Sequence, residues 1–353
     1  AAAAVLAVAC SCSIALATPI SMMASIGAAA KRGLMIKGGK YLELLAKADV
    51  LLIDKTGTLT LGKPQITDII PLNGQNENDI LQLAASAERY SEHPLAHAIR
   101  AIAREKRLDL IDPEHFRTTT GIGIKAMIGK KDIQIGSERS LNGKAVPNQV
   151  KSLKEKGKTV LYIQANSKLI GIIAAADTLR PEVPAAIQNL KDLGVSHIEL
   201  LTGDNFHTAS SLGEKLGIAY RSELLPEDKI RIVKEHQEAG RVVVMIGDGI
   251  NDAPALAQAE VGIAMGASGS EIALQAADIA LLRDDWILVP KVFSIARKTM
   301  SVVRMNLILT AIYNVVGISL AALGILPPFL AATVQSLPDL GILGNSSRLL
   351  KQK

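Results

Sequence analysis

Val50-Leu51-Leu52-Ile53-Asp54-Lys55-Thr56-Gly57-Thr58-Leu59-Thr60 is the stretch from which the rest of this 353-residue chain is read. The apolar run 50–53 is short and β-favouring, so it reads as a buried strand. Residues 54–60 then stand at a strand's carboxyl end, where α/β sheets hold their ligands. Asp54 is a carboxylate in a turn rich in hydroxyls, and such a carboxylate can attack a phosphoryl group. Lys55 supplies positive charge, and Thr56 and Thr58 offer hydrogen bonds to phosphate oxygens. The plainer alternative is an N-capped loop after a strand.

Outward from this stretch, strand-like runs at 169–175, 197–201, 242–246, 261–264 and 279–282 alternate with helical stretches at 184–193, 208–216 and 229–239. That alternation implies an α/β fold with a parallel, doubly wound sheet. The strand 50–53 belongs to it, although about a hundred residues intervene. The intervening residues contain a helical stretch at 78–107, a glycine-rich strand region at 118–136 and a helix at 148–155, and read as an inserted α+β domain. Three further stretches succeed predicted strands or open a helix: Thr202-Gly203-Asp204, Lys229 after Pro226-Glu227-Asp228, and Gly247-Asp248-Gly249-Ile250-Asn251-Asp252. Each alone is ordinary turn chemistry. In a doubly wound sheet their positions meet at one crevice.

The segment from Asp54 to Thr60 resembles the phosphorylation signature of P-type ATPases. The later stretches, in this order, are similar to the haloacid-dehalogenase-like core of those pumps. The resemblance implies that Asp54 attacks the γ-phosphoryl of ATP, with Lys55, Thr56 and Asp204 in the same catalytic set. Mg²⁺, which wants hard oxygen ligands, would be held by Asp54, Thr56 and Asp248. Asn251 and Asp252 would orient that shell, and Thr202 and Lys229 would bind phosphate oxygens. Phosphatases of this fold usually carry Asp-x-Asp, whose second aspartate is a general acid and base. Thr56 stands at that position here, so an aspartyl-phosphate should persist. That favours a pump over the alternative of a membrane-tethered phosphatase.

In the insert, Ser91-Glu92-His93-Pro94-Leu95 precedes a helical pattern, and its His-Pro pair resembles the marker of the heavy-metal-transporting branch. The resemblance implies ATP contacts from Glu88, His93, Gly121, Gly123 and Gly136. Gly121-Ile122-Gly123 would let backbone approach a ligand closely. Aromatic residues are only 3% of the chain, so adenine would find few rings to stack on and would depend on histidine and backbone.

Hydrophobic residues make up 48% and are concentrated at the two ends, which argues for membrane segments flanking a cytoplasmic middle. Residues 1–30 carry no charge, and Lys31, Arg32, Lys37 and Lys40 come at once after them, placing that end in the cytoplasm. Segments 305–323 and 329–343 read as two more crossings, three in all, in a multi-pass protein of the cell membrane. The net charge of +5 is dispersed or lies beside the apolar segments, so lipid and not nucleic acid is the expected partner.

Cys10 and Cys12, inside the first segment, suit a soft transition-metal ion. On a straight helix their side chains point about 200° apart. Pro19 is therefore expected to break the helix and free carbonyls near Ala15. Asn314 and Asp339 are candidate further ligands, since polar groups inside spans are costly and usually functional. Tyr313-Asn314 resembles copper exporters, but Gln335-Ser336-Leu337-Pro338-Asp339 does not carry their methionine and serine pattern. The acidic residue leans toward a divalent ion (Zn, Mn, Co or Fe) over Cu(I).

The expected organisation is a membrane helix and juxtamembrane segment (1–47), a phosphorylation domain (48–62 and 172–290), a nucleotide-binding domain (63–171) and a helix pair with a tail (291–353). The reading is an ATP-driven transition-metal exporter, with a tethered phosphatase or a non-catalytic metal sensor as the readings of another class. Family members also carry an actuator domain and earlier membrane helices, expected here as partners in the same or a separate chain. The absence of an initiating methionine reads as a start in mid-protein.

Overall fold

The computed structural model describes residues 2–9, 12–119, 122–141, 143, 146–247, 252–266 and 271–351. The side chains of Ala7, Cys12, Glu271, Ile272 and Ala273 lie outside that description. The chain divides into two compact units, Ala1–Asp54 with Pro181–Glu199 and Leu225–Lys353, and Lys55–Arg180 with Leu200–Leu224.

The first unit is built on a largely parallel sheet. Its strands run in the order Leu34–Ile36, Ile279–Leu281, Val261–Ala264, Val243–Gly247, Val50–Asp54 and His197–Leu201. Val243–Gly247 is central and pairs in parallel with Val50–Asp54 and with Val261–Ala264. Val50, Leu51, Leu52, Ile53, Val243, Val244, Met245 and Ile246 are all fully buried. Burial on both faces is why these strands read as unbroken apolar runs and not as alternating ones. Leu34–Ile36 joins antiparallel at one edge, a strand too short to be visible in the sequence. Leu288–Ala322 is a single 35-residue helix, about 52 Å long at 1.5 Å per residue. It packs on helices Gly39–Ala46 and Val183–Asp192 and buries Leu288, Val292 and Phe293. The crossing read at 305–323 is thus the later part of a longer rod.

Among the described residues, two helices are long and apolar enough to cross a membrane: Cys12–Ala30, through its segment Ser13–Ala30, and Leu288–Ala322. Two expectations change here. The segment 329–343 is not one helix but two, Pro328–Val334 and Leu337–Ser347. Pro338 sits in the first turn of the second, where its missing N–H costs nothing. Pro19 does not break its helix, which is continuous over Cys12–Ala30. Neighbouring helices hold this one through packing and hydroxyl bonds. Ser21 Oγ lies 2.9 Å from Ser346 Oγ, and Ser25 Oγ and Thr299 Oγ1 are 2.6 Å apart. Small residues allow close approach: a Cβ on Gly317 would lie 2.8 Å from Val8 Cγ1.

The second unit holds a six-stranded antiparallel sheet in the order Thr60–Pro71, Lys168–Leu179, Thr159–Ala165, Lys131–Gly136, Gly123–Ile128 and Glu114–Thr119. The run 169–175, read as part of the parallel sheet, belongs here, paired with Thr60–Pro71 and Thr159–Ala165. The physical reason is coverage of both faces. Ile170 and Ile173 pack on helices Glu77–Ala87 and Pro94–Glu105, while Ile172 and Ala174 face helix Asn148–Glu155. A strand covered twice looks apolar throughout, so its sequence resembles that of a parallel strand.

Candidate active site

Asp54 closes strand Val50–Asp54 and is itself buried. In the same unit, Lys229 enters from the first turn of helix Pro226–Glu238. Its Nζ lies 2.5 Å from Asp54 Oδ1 and 2.6 Å from Asp252 Oδ1. Burial pulls the Lys229 ammonium down, but the Asp54 and Asp252 carboxylates outweigh it and hold Lys229 above its ordinary value. Lys229 is therefore charged at neutral pH and bridges the two carboxyl groups. Asp252 also starts helix Ala253–Gln258, its carbonyl accepting from Leu256 N at 2.8 Å. Gly247 makes room for it, since a Cβ there would fall 2.8 Å from Asp252 Cβ.

The second unit carries the rest of the signature. Lys55 pairs with Asp204, two residues that sequence reading placed in the same catalytic set. Thr56 is exposed, with extended backbone, and Gly57 takes φ +74, which favours glycine. Thr60 Oγ1 closes the turn by donating 3.1 Å to Lys55 O. Thr202 is buried, and its Oγ1 accepts from Asp204 N at 3.1 Å. Sequence reading missed Arg180. Its buried guanidinium donates from Nε to Thr58 O at 3.0 Å and Thr60 O at 3.1 Å, and from Nη2 to Gly57 O at 3.0 Å. It clamps the signature's backbone across about 120 positions, a link without a sequence motif.

His93 is the N-cap of helix Pro94–Glu105, its Nδ1 accepting from Leu95 N at 3.2 Å, with Pro94 at the first helical position. Glu88 is 6% exposed, and its Oε2 has no hydrogen-bond partner. Burial pushes its carboxyl above the usual range, partly offset by Ser91 and Arg100. Gly123 and Gly136 are register partners on adjacent strands. A Cβ on either would lie 2.0 Å from a backbone oxygen opposite.

Among the apolar helices at the two ends of the chain, Ser13 Oγ donates 2.6 Å to Asp339 Oδ1, and Tyr313 OH donates 2.6 Å to Val334 O. Ser13 carried no signal of its own beside Cys10 and Cys12. Asn314 lies on helix Leu288–Ala322, next to Tyr313. Asp248, Asn251, Gly121 and Cys10 lie outside the described residues, as does the Cys12 side chain.

Residues 48–260 match the family model described as a haloacid dehalogenase-like hydrolase. The chain is 40% identical over 356 residues to a copper-exporting P-type ATPase of Staphylococcus epidermidis, an alignment covering 99% of this chain and 44% of that protein. A Staphylococcus aureus copper-exporting P-type ATPase matches at the same identity and coverage. The chain thus spans less than half the length of these curated relatives. Among solved structures, a zinc-transporting PIB-type ATPase in its E2.Pi state is similar at TM-score 0.89 and 35% identity, covering 97% of this chain and 56% of that one. The catalytic domain of the CPx-ATPase CopB-B is similar at TM-score 0.63 and 31% identity, covering 76% of this chain and 97% of that domain. With a haloacid dehalogenase-like core on residues 48–260, the signature aspartate at the end of its strand and these similarities along nearly its whole length, the chain belongs to the P-type ATPases of the heavy-metal-transporting branch.

Proposed function

We propose that this chain forms the phosphorylation, nucleotide-binding and ion-binding parts of an ATP-driven transition-metal exporter. The observation that carries the reading is the buried Asp54–Lys229–Asp252 cluster at the end of a core strand, with threonine at position 56. In this reading an Asp54 oxygen bonds to the γ-phosphorus of ATP as the bond to the ADP oxygen breaks. Lys229, already charged, exchanges its carboxylate contact for oxygens of the arriving phosphoryl group. Such placed positive charge dominates phosphoryl transfer. The donor set is all hard oxygen and suits Mg²⁺, which Asp54, Thr56 and Asp248 would hold and which would neutralise phosphate charge. Asn251 and Asp252 would orient that shell, Thr202 would hold phosphate oxygens, and Lys55 with Asp204 would complete the set. Glu88, His93, Gly121, Gly123 and Gly136 would serve ATP.

For the cargo, Cys10 and Cys12 offer soft thiolates, and Asp339 and Asn314 add oxygen donors. That mixture suits a divalent ion such as Zn²⁺ better than Cu(I). The actuator function and further membrane helices belong to the whole pump, in this or another chain, in the cell membrane. The test is acid-stable labelling of the full-length pump from γ-phosphate-labelled ATP. Asp54→Asn should abolish it, and labelling that survives removes Asp54 as the nucleophile. Fast turnover of small phosphoesters, insensitive to metal, would instead support a phosphatase.

A further inference from the structure

Outside the residues assigned above, the described part of the first unit holds one cluster of three metal-ligating side chains: His197, Glu199 and His236. We propose that these three bind a divalent transition-metal ion of the Zn²⁺ class, in a site separate from the cargo path through the membrane helices. His197 and Glu199 sit two apart on strand His197–Leu201, so both project from one face. His236 comes from the last turn of helix Pro226–Glu238. The three ligand atoms all lie within 4.8 Å of one another. Glu199 Oε2 is 3.2 Å from His197 Nε2 and 3.3 Å from His236 Nε2.

Those two distances fit an ion. Ligands about 2.0–2.1 Å from tetrahedral Zn²⁺ stand about 3.3–3.4 Å apart. Two edges of such a tetrahedron are therefore already in place. For the third, the nitrogens that the two imidazoles offer lie within 4.8 Å of each other, so a modest approach of the rings completes it. Two histidines and one carboxylate are also a sufficient three-ligand set for zinc, with the fourth position left to water. Glu199 and His236 are buried, and the side chain of His197 is 34% exposed, which gives the ion an entry path.

The competing arrangement is a hydrogen-bonded trio with no metal. Arg241 Nη1 lies 3.4 Å from His236 Nδ1, a contact that suits a proton on Nε2. Metal at Nε2 requires the proton on Nδ1, facing the Arg241 donors, so Arg241 must turn away. Arg241 is exposed and has room to do so. This conflict supplies a discriminating variant. Arg241→Glu replaces donors with an acceptor for Nδ1–H, the kind of partner that metal-bound histidines use. It should tighten the metal, and a trio without metal predicts no such gain.

His236 is seven residues beyond Lys229 on the same helix, two turns on and on the same face. An ion would therefore tie the far end of the Lys229 helix to the strand His197–Leu201. Binding should slow amide exchange along residues 226–238.

The experiment uses the full chain carrying Cys10→Ser and Cys12→Ser, so that thiolates do not contribute, titrated with Co²⁺. Visible d–d bands of a tetrahedral nitrogen/oxygen site should appear at one equivalent and disappear on adding Zn²⁺. His197→Ala and His236→Ala should each abolish them, with thermal melts showing that both variants fold. Arg241→Glu should tighten binding about tenfold. Absence of the bands in the parent chain overturns the proposal. So do bands that persist in His236→Ala, or an Arg241→Glu chain that binds no better.

Discussion

Lys229 Nζ lies 2.5 Å from Asp54 Oδ1, across 175 positions of sequence, and the same ammonium reaches Asp252 at 2.6 Å. One cation thus separates two buried carboxylates on different elements. Removing it leaves two carboxyl groups facing each other out of water, with nothing between them. Lys229→Met should destabilise the first unit by about 3–5 kcal/mol. Asp252→Asn added to it should recover part of that loss. Because folding raises the Lys229 value, its stabilisation is fully present below about pH 10.4 and is lost as pH rises through the higher folded value. Thermal melts between pH 9 and 12 should fall more steeply for the wild type than for Lys229→Met, and parallel curves would contradict the charged cluster.

Burial raises Glu88 above the ordinary carboxylate range. As pH climbs past about 4.3, the unfolded chain ionises first and the folded second unit loses stability until its own, higher value is passed. Glu88→Gln should therefore melt higher than wild type at pH 7, with the gap closing toward pH 4. The same change should weaken ATP binding, measured by calorimetry. A variant that is no more stable at pH 7 would mean that Glu88 is not held at a cost.

Gly123 and Gly136 face each other across a strand pair with no space for a methyl group. Gly123→Ala and Gly136→Ala should each cost about 3 kcal/mol, since backbone stands on the far side and cannot step aside. Gly129→Ala is the control, with nothing within 4 Å of the added Cβ but a φ of +59, and should cost about 1 kcal/mol. Loss of ATP affinity in the first two variants at unchanged melting temperature would assign these glycines to the ligand and not to the sheet.

Ser13 Oγ holds one oxygen of Asp339 at 2.6 Å. In the intact pump, Ser13→Ala should raise the metal concentration needed for half-maximal ATPase stimulation about tenfold, the usual effect of losing a group that orients a ligand. Asp339→Ala should abolish stimulation while Asp54 still accepts phosphate. Full stimulation in Asp339→Ala, with loss in Cys10→Ser, would assign the ion to thiolates and favour Cu(I).

Elements with a local cause are legible in the order of residues. Val50–Asp54 and Val261–Ala264 are largely apolar runs followed by turn chemistry, His197–Leu201 is a short strand leading into Thr202-Gly203-Asp204, and the segment from Asp54 to Thr60 is contiguous. His93 and Pro94 are a helix start written in two adjacent residues. Relations between distant residues arise from packing in three dimensions. The run 169–175 is apolar on both faces, and only its partner strands made it antiparallel. Pro19 removes one backbone bond, but packing and hydroxyl contacts from neighbouring helices accompany a helix that stays whole. Arg180 on the signature backbone, Ser13 on Asp339 and His236 beside Glu199 all cross long stretches of chain. Periodicity reports which face of an element is buried. It carries no information about which residue lies opposite, because that depends on how the elements pack in space.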